Sequence, residues 1–302
     1  MDKVSIIGAG LVGSTAAFVL ARTGLCEIVL IDIQKELAQG KALDIAHAMP
    51  SLKNDVAIHG GDDFSLIKNS DIVIITAGTP RKIGGKREDL FVVNKKIVTS
   101  ICENIKKYAP ESIVIIVTNP LDLMARVAYD CLGFEKERVM GMGNELDSLR
   151  FAYFIREYSQ AMYKEIDTKV IGMHGEIMIP VPEISTIKGI PISEVLAPQE
   201  IEEIVEKTKK GGYEVFNLLQ QSAYCATAEA IKIMVQAILK DTKEQVCACV
   251  LLDGEYGIKD VFLGVPLVLG RKGIEKIVQV KLTDETQKEL EEAAKEVKEL
   301  LK

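Results

Sequence analysis

The chain has 302 residues, 48% of them apolar, and a formal net charge of −7. That length allows one or two domains with real cores. Acidic and basic residues are mixed along it without a long basic block, which argues against a nucleic-acid partner. The apolar runs, such as Ile113 to Val117 and Val261 to Leu269, fall short of the roughly 20 residues that a membrane-spanning helix needs.

The start, MDKVSIIGAG, runs straight into a glycine turn without the basic start, long apolar core and cleavage site of a secretory signal, so a cytoplasmic protein is expected. The six cysteines, at 26, 102, 131, 225, 247 and 249, are then expected to be free thiols. Cys247 and Cys249 form a C-x-C pair that a strand would turn to one face. Zinc sites favour wider pairs with a second pair elsewhere, so these two read as core residues and no metal is expected.

In chain order, the first part alternates short β-rich runs with helical stretches. The runs are KVSII (3–7), EIVLID (27–32), DVAIH (55–59), DIVIIT (71–76), SIVIIV (112–117) and RVMGM (138–142). Most are apolar without alternation, as strands covered on both faces must be. Helical patterns lie between them, as in Leu11 to Arg22 and Gln34 to Ala48. Strand–helix–strand alternation predicts right-handed crossovers and an α/β fold with a doubly wound parallel sheet of the dinucleotide-binding, Rossmann type.

The second part changes character. A helix is predicted from near Leu146, then two strands, 168–175 and 177–185, two helices over 198–239, extended runs at 244–252, 259–270 and 275–280, and a last helix over 284–301. This reads as an α+β substrate-binding domain. No Pro/Ser-rich linker separates the parts, so residues 1–142 and 143–302 are expected to form two tightly packed domains.

Residues Gly8, Ala9, Gly10, Leu11, Val12 and Gly13 spell G-x-G-x-x-G between the first strand and the first helix. A second strand follows and ends in Asp32, roughly 20 residues on, which completes the dinucleotide fingerprint. Gly8 would permit the turn, Gly10 the approach of a pyrophosphate and Gly13 the packing of helix on sheet. Asp32 would accept the ribose hydroxyls and repel a 2′-phosphate, so NAD is the expected cofactor. Further on, TAGTPRKIGGKREDL (76–90) places Arg81 and Arg87 six residues apart in a chain with 8 arginines against 29 lysines. Arginine grips carboxylates with a planar fork that lysine lacks, so this loop reads as an anion-binding segment hinged at Gly84 and Gly85.

These segments, with VTNPLD, ELDSLRF, IGMHGE and LDGEYGIKDVFLGVPLVLGRKGIEKI, resemble the lactate/malate dehydrogenase family, and in particular its lactate-dehydrogenase-like malate dehydrogenases. The resemblance spans nearly the whole chain. It implies reversible hydride transfer between malate or oxaloacetate and NAD. It implies His174 as proton donor and acceptor, Asp147 as its partner, and Arg150 as the grip on the substrate carboxylate. It implies Arg87 as the loop arginine over the reacting carbonyl and Asn119 as a contact to substrate and nicotinamide. The Asn119–Pro120 bond is expected to be cis, as in relatives. Asn94 and Val117 are placed on the cofactor side with Asn119. Arg81 stands where malate enzymes carry arginine and lactate enzymes usually glutamine. A homo-oligomer is implied, a tetramer ahead of a dimer.

The chemistry agrees. A ketone that receives a hydride must also receive a proton, and a histidine titrating near neutrality suits that task. Residues 147 and 150 lie three apart on a helix and share a face. His47 and His59 read as structural, and Arg126 and Arg138 as making surface contacts. Glu176, Ile177, Leu149 and the pair Gln220-Gln221 depart from the family's usual residues around the site. The alternatives are a lactate or other 2-hydroxyacid dehydrogenase, and a non-catalytic NAD-binding sensor.

Overall fold

The computed structural model describes residues 1–79 and 87–302. In chain order it contains β1 (Asp2–Ile7), α1 (Leu11–Ala21), β2 (Cys26–Ile31), α2 (Lys35–Leu52), β3 (Ile58–Gly61), β4 (Ile72–Ile75), α3 (Arg87–Tyr108), β5 (Ile113–Ile116), α4 (Leu121–Leu132) and β6 (Val139–Gly141). Then follow α5 (Gly143–Ser159), β7 (Ile166–Asp167), β8 (Val170–Ile171), β9 (Ile179–Pro180), β10 (Thr186–Ile187), β11 (Ile190–Pro191), α6 (Pro198–Leu219), α7 (Cys225–Leu239), β12 (Gln245–Asp253), β13 (Lys259–Gly270), β14 (Gly273–Ile277) and α8 (Asp284–Leu300).

The first six strands pair in parallel in the order β3-β2-β1-β4-β5-β6. This is the predicted doubly wound sheet, and its strand order reverses between β1 and β4, where such sheets leave a crevice at their carboxyl ends. Every residue of β4 and β5 is buried, as the unbroken apolar runs required. The second part does more than form its own domain. Its strands β12, β13 and β14 continue the same sheet antiparallel, joined at Cys249 opposite Gly141. One apolar core therefore runs through both parts. Helix packing links the parts again, since α7 lies against α1 and α5, while α3, α4 and α8 form a second packed group. A smaller core, built on Phe151, Ile155, Val170 and Ile204, lies between α5, α6 and the short strands.

Several predicted bounds shift. Helix α5 starts at Gly143, before the predicted Leu146, because its first turn is packed inside the protein: Gly143 to Ser148 are all buried. The two strands predicted over 168–175 and 177–185 shrink to β8 and β9. The chain between them turns through Gly172 and Gly175 at positive φ, and prolines 180 and 182 limit further ladder pairing. Helix α2 runs past Ala48 through Pro50 to Leu52 and is capped by Lys53, whose φ is 50°. The strand predicted over 55–59 begins only at Ile58.

Cys247 and Cys249 are buried and all six thiols are free. His47 and His59 are exposed. Arg126 joins Asp130 and Asp260, and Arg138 joins Glu135 and the carbonyls of Pro110 and Ser112. Among the described residues no helix is long and apolar enough to cross a membrane.

A charge is also buried in the first turn of α5. Glu145 accepts a hydrogen bond from the Cys247 amide at 3.1 Å, yet burial pushes its carboxyl from 4.5 up to about 7. The folded state therefore binds this proton more tightly than the unfolded chain. The stability it contributes is full below about 4.5 and lost as pH rises through about 7. Glu145→Gln keeps the acceptor and removes the charge. Thermal unfolding should find the variant close to the parent at pH 5 and about 3–6 °C higher at pH 8. An offset that is the same at both pH values would refute buried ionisation as its cause.

Candidate active site

The glycine turn sits at the strand-order reversal. Gly8 leaves β1 at φ 111°, and a Cβ there would lie 2.7 Å from the Ala77 amide of the loop after β4. A Cβ on Gly13 would lie 1.8 Å from the Gly8 carbonyl, so α1 can approach the turn only with glycine at that position. Gly10 differs, because a Cβ there would meet no protein atom within 4 Å. The fold itself gives no reason for glycine at 10, whereas a ligand lying against the backbone does. Gly10 is also the N-cap of α1, which has no side-chain cap and no acidic residue in its first turn. Its free amides and the positive end of the helix are thus open to an anion, and a pyrophosphate fits this cradle. Asp32, just beyond β2, accepts from the Ala9 amide at 2.7 Å and from the Gln34 amide at 2.9 Å. It braces the turn while its remaining lone pairs stay available for hydroxyl donors.

The far wall comes from the ends of β4 and β5. Asn94, on α3 and 1% exposed, accepts from the Thr79 amide at 2.8 Å and donates to the Asn119 carbonyl at 2.7 Å. Its carboxamide ties the two loops together and sets the backbone against which a cofactor would lie. Val117 closes the end of β5 and is buried, and Asn119 is exposed beside it. The Asn119–Pro120 bond is cis.

Three of the residues expected to act on substrate, Asp147, Arg150 and His174, come together from α5 and the loop between β8 and β9. Nδ1 of His174 lies 2.7 Å from Oδ2 of Asp147, and the Arg150 guanidinium donates to Oδ1 at 3.0 Å. Asp147 is fully buried, while the His174 and Arg150 side chains keep 14% and 15% of their surface. Both therefore keep some exposed surface and the carboxylate behind them keeps none. Burial alone would favour the neutral ring, but the charge of Asp147 and its hydrogen bond outweigh this and hold His174 above the ordinary histidine value. With Nδ1 committed to the carboxylate, Nε2 is the nitrogen left to handle a proton.

Two neighbours were missed at the sequence level. A Cβ on Gly143 would stand 2.5 Å from Cγ of His174, so the first residue of α5 must be glycine for the ring to lie there. Asp122, inside the VTNPLD segment, accepts from the His174 amide at 3.0 Å. Its position in that motif was the only sequence signal for it. Arg81 lies outside the described residues, as do Gly84, Gly85 and the side chain of Arg87, whose backbone opens α3. Of the departures from the family's usual residues, Glu176, Gln220 and Gln221 are exposed, and Leu149 and Ile177 pack against the main core.

With this geometry in hand, the comparisons are consistent along the chain. Residues 2–141 match the NAD binding domain of the lactate/malate dehydrogenase family, and residues 144–302 match its alpha/beta C-terminal domain. A malate dehydrogenase of Nitratiruptor sp. is 45% identical over 302 residues, covering 99% of this chain and 95% of that protein. The crystal structure of a Cryptosporidium parvum malate dehydrogenase superposes with a TM-score of 0.96 at 39% identity, covering 100% of this chain and 98% of that one. A lactate dehydrogenase from the same organism, complexed with lactic acid and nicotinamide adenine dinucleotide, superposes with a TM-score of 0.96 at 35% identity, covering 99% and 96%. Backbone shape thus does not separate the two substrate classes.

The three glycines make separable predictions. Gly13→Ala should lower the melting temperature of the ligand-free protein. Gly10→Ala should leave that temperature unchanged yet weaken NADH binding about tenfold or more, read by fluorescence titration. Equal losses of stability in both variants would mean that Gly10 serves the fold and not a ligand.

Proposed function

The chain belongs to the lactate/malate dehydrogenase family, and from that premise we propose that it is an NAD-dependent malate dehydrogenase. The observation that carries the mechanism is the buried Asp147 carboxylate shared by His174 at 2.7 Å and Arg150 at 3.0 Å.

The glycine turn would hold NAD, which when bound would supply or accept the hydride. His174 holds the proton that joins the substrate oxygen in reduction and takes it back in oxidation. Asp147 keeps the ring in the tautomer that leaves Nε2 facing the substrate, and favours the charged ring. Arg150, braced by the same carboxylate, grips the carboxylate next to the reacting carbon. Arg87 polarises the carbonyl and Asn119 contacts substrate and nicotinamide. Asn94 and Val117 shape the cofactor wall, and Asp32 accepts the ribose hydroxyls. Arg81 binds the second carboxylate of oxaloacetate, which pyruvate lacks. Burying that group unpaired would cost several kcal/mol, so one arginine can decide the substrate.

We assign residues 1–142 to cofactor binding and 143–302 to substrate binding and catalysis. The protein works in the cytoplasm, a placement supported by its six free thiols, and serves the malate–oxaloacetate step of the tricarboxylic acid cycle. It assembles as a homotetramer, in keeping with the lactate-dehydrogenase-like group.

The test is loss of NADH absorbance with oxaloacetate beside pyruvate. A strong preference for oxaloacetate is expected. Arg81→Gln should move the ratio toward pyruvate by about tenfold or more, and His174→Asn should cut turnover roughly 100- to 10,000-fold. Preference for pyruvate by the parent would make it a lactate-type enzyme. NADH binding without turnover of either substrate would make it a sensor.

A further inference from the structure

Behind the imidazole lies a second carboxylate that the mechanism above does not use. Asp122, in the first turn of α4, is fully buried. Its Oδ2 accepts the His174 amide at 3.0 Å, while Oδ1 accepts no hydrogen bond of ordinary geometry. The Cys249 thiol of β12 interacts with the same carboxylate. Three elements thus converge on it: α4 carries it, the loop between β8 and β9 presents His174, and β12 presents the thiol. The charged groups that face His174 are Asp147 and Arg150 from α5 and Asp122 from α4.

We propose that Asp122 is a positioning residue that acts on His174 from its backbone side. It fixes the main chain through the amide hydrogen bond, and its charge, out of reach of water and salt, favours the protonated ring. This rests on the reading of His174 as the acid and base of the reaction. A buried carboxylate with one firm hydrogen bond is expensive to keep. The amide hydrogen bond alone does not demand a charge, since asparagine would offer the same acceptor in nearly the same volume. What asparagine lacks is a field at the imidazole. Two carboxylates then share one histidine, Asp147 at the ring nitrogen and Asp122 at the amide, and together they offset the opposing charge of Arg150. Burial also pushes the Asp122 carboxyl from 3.8 up to about 6, so its charge is present at neutral pH and lost on mild acidification.

The test follows the His174 ring directly by NMR of the ligand-free protein labelled at histidine. The chain has three histidines, and His47 and His59 are exposed and serve as internal references. Asp122→Asn keeps an oxygen to accept the His174 amide and removes the charge. It should lower the His174 pKa by about half a unit to one unit, and shift the acid limb of malate oxidation to lower pH by the same amount. In the unaltered protein the His174 ring signals should also show a second inflection at about 6, from Asp122. That reading stands even where the variant fails to fold. A His174 pKa unchanged in Asp122→Asn, or a parent curve with a single inflection, would overturn the proposal. The titration needs no turnover, so its failure is distinguishable from an absence of oxaloacetate reduction, which would sink the proposed function on which this inference rests.

Discussion

The site depends on one buried charge. Asp147 has no exposed surface, and a carboxylate taken out of water is tolerable only when its oxygens are paired. Both oxygens are, one to a ring nitrogen of His174 and one to Arg150. The pairing ties three things together. The register of α5 must bring residues 147 and 150 to one face. The turn after β8 must deliver the imidazole to that face. The first residue of α5 must be small enough to let the ring in, which is the place of Gly143. The arrangement that makes the carboxylate tolerable is also the one that sets an imidazole beside a guanidinium.

The same economy explains why the second part of the chain continues the first part's sheet. A catalytic turn on an independent domain would move relative to the cofactor cradle. Here β12 pairs with β6, and Gly172 bridges Gly264 of β13, two residues before His174. The histidine is thereby fixed to the same sheet whose β1 leads into Gly8. Asp122 adds a third anchor from α4. The glycine turn and the His174 loop thus hang on one sheet, and small misplacements between reacting groups are costly in rate.

The glycines show how a short motif divides its labour. Gly8 and Gly13 are demanded by the protein, one by its backbone angle and both by contacts that a Cβ would violate. Gly10 is demanded by nothing in the protein, and its openness points outward to a ligand. Asn94 shows the converse. The resemblance to the family placed it on the cofactor side, whereas the contacts of its carboxamide are to two loop backbones, which it ties together.

The sequence alone determined what rests on local rules. Unbroken apolar runs required strands buried on both faces, alternation with helices required parallel crossovers, and glycine spacing required the turn. The i, i+3 spacing of Asp147 and Arg150 put both on one helix face. Tertiary structure decided what depends on residues distant in the chain. That β12 to β14 extend the first sheet was not legible, because antiparallel addition at an edge leaves no mark on the strand itself. The early start of α5 at Gly143 was not legible either, since a glycine in a first turn is unfavourable until the ring of residue 174 packs on it. The place of Asp122 follows the same logic: in sequence it is one more acidic residue near a helix start, and only the fold, by closing water away from it, turns it into a charge that the histidine must feel.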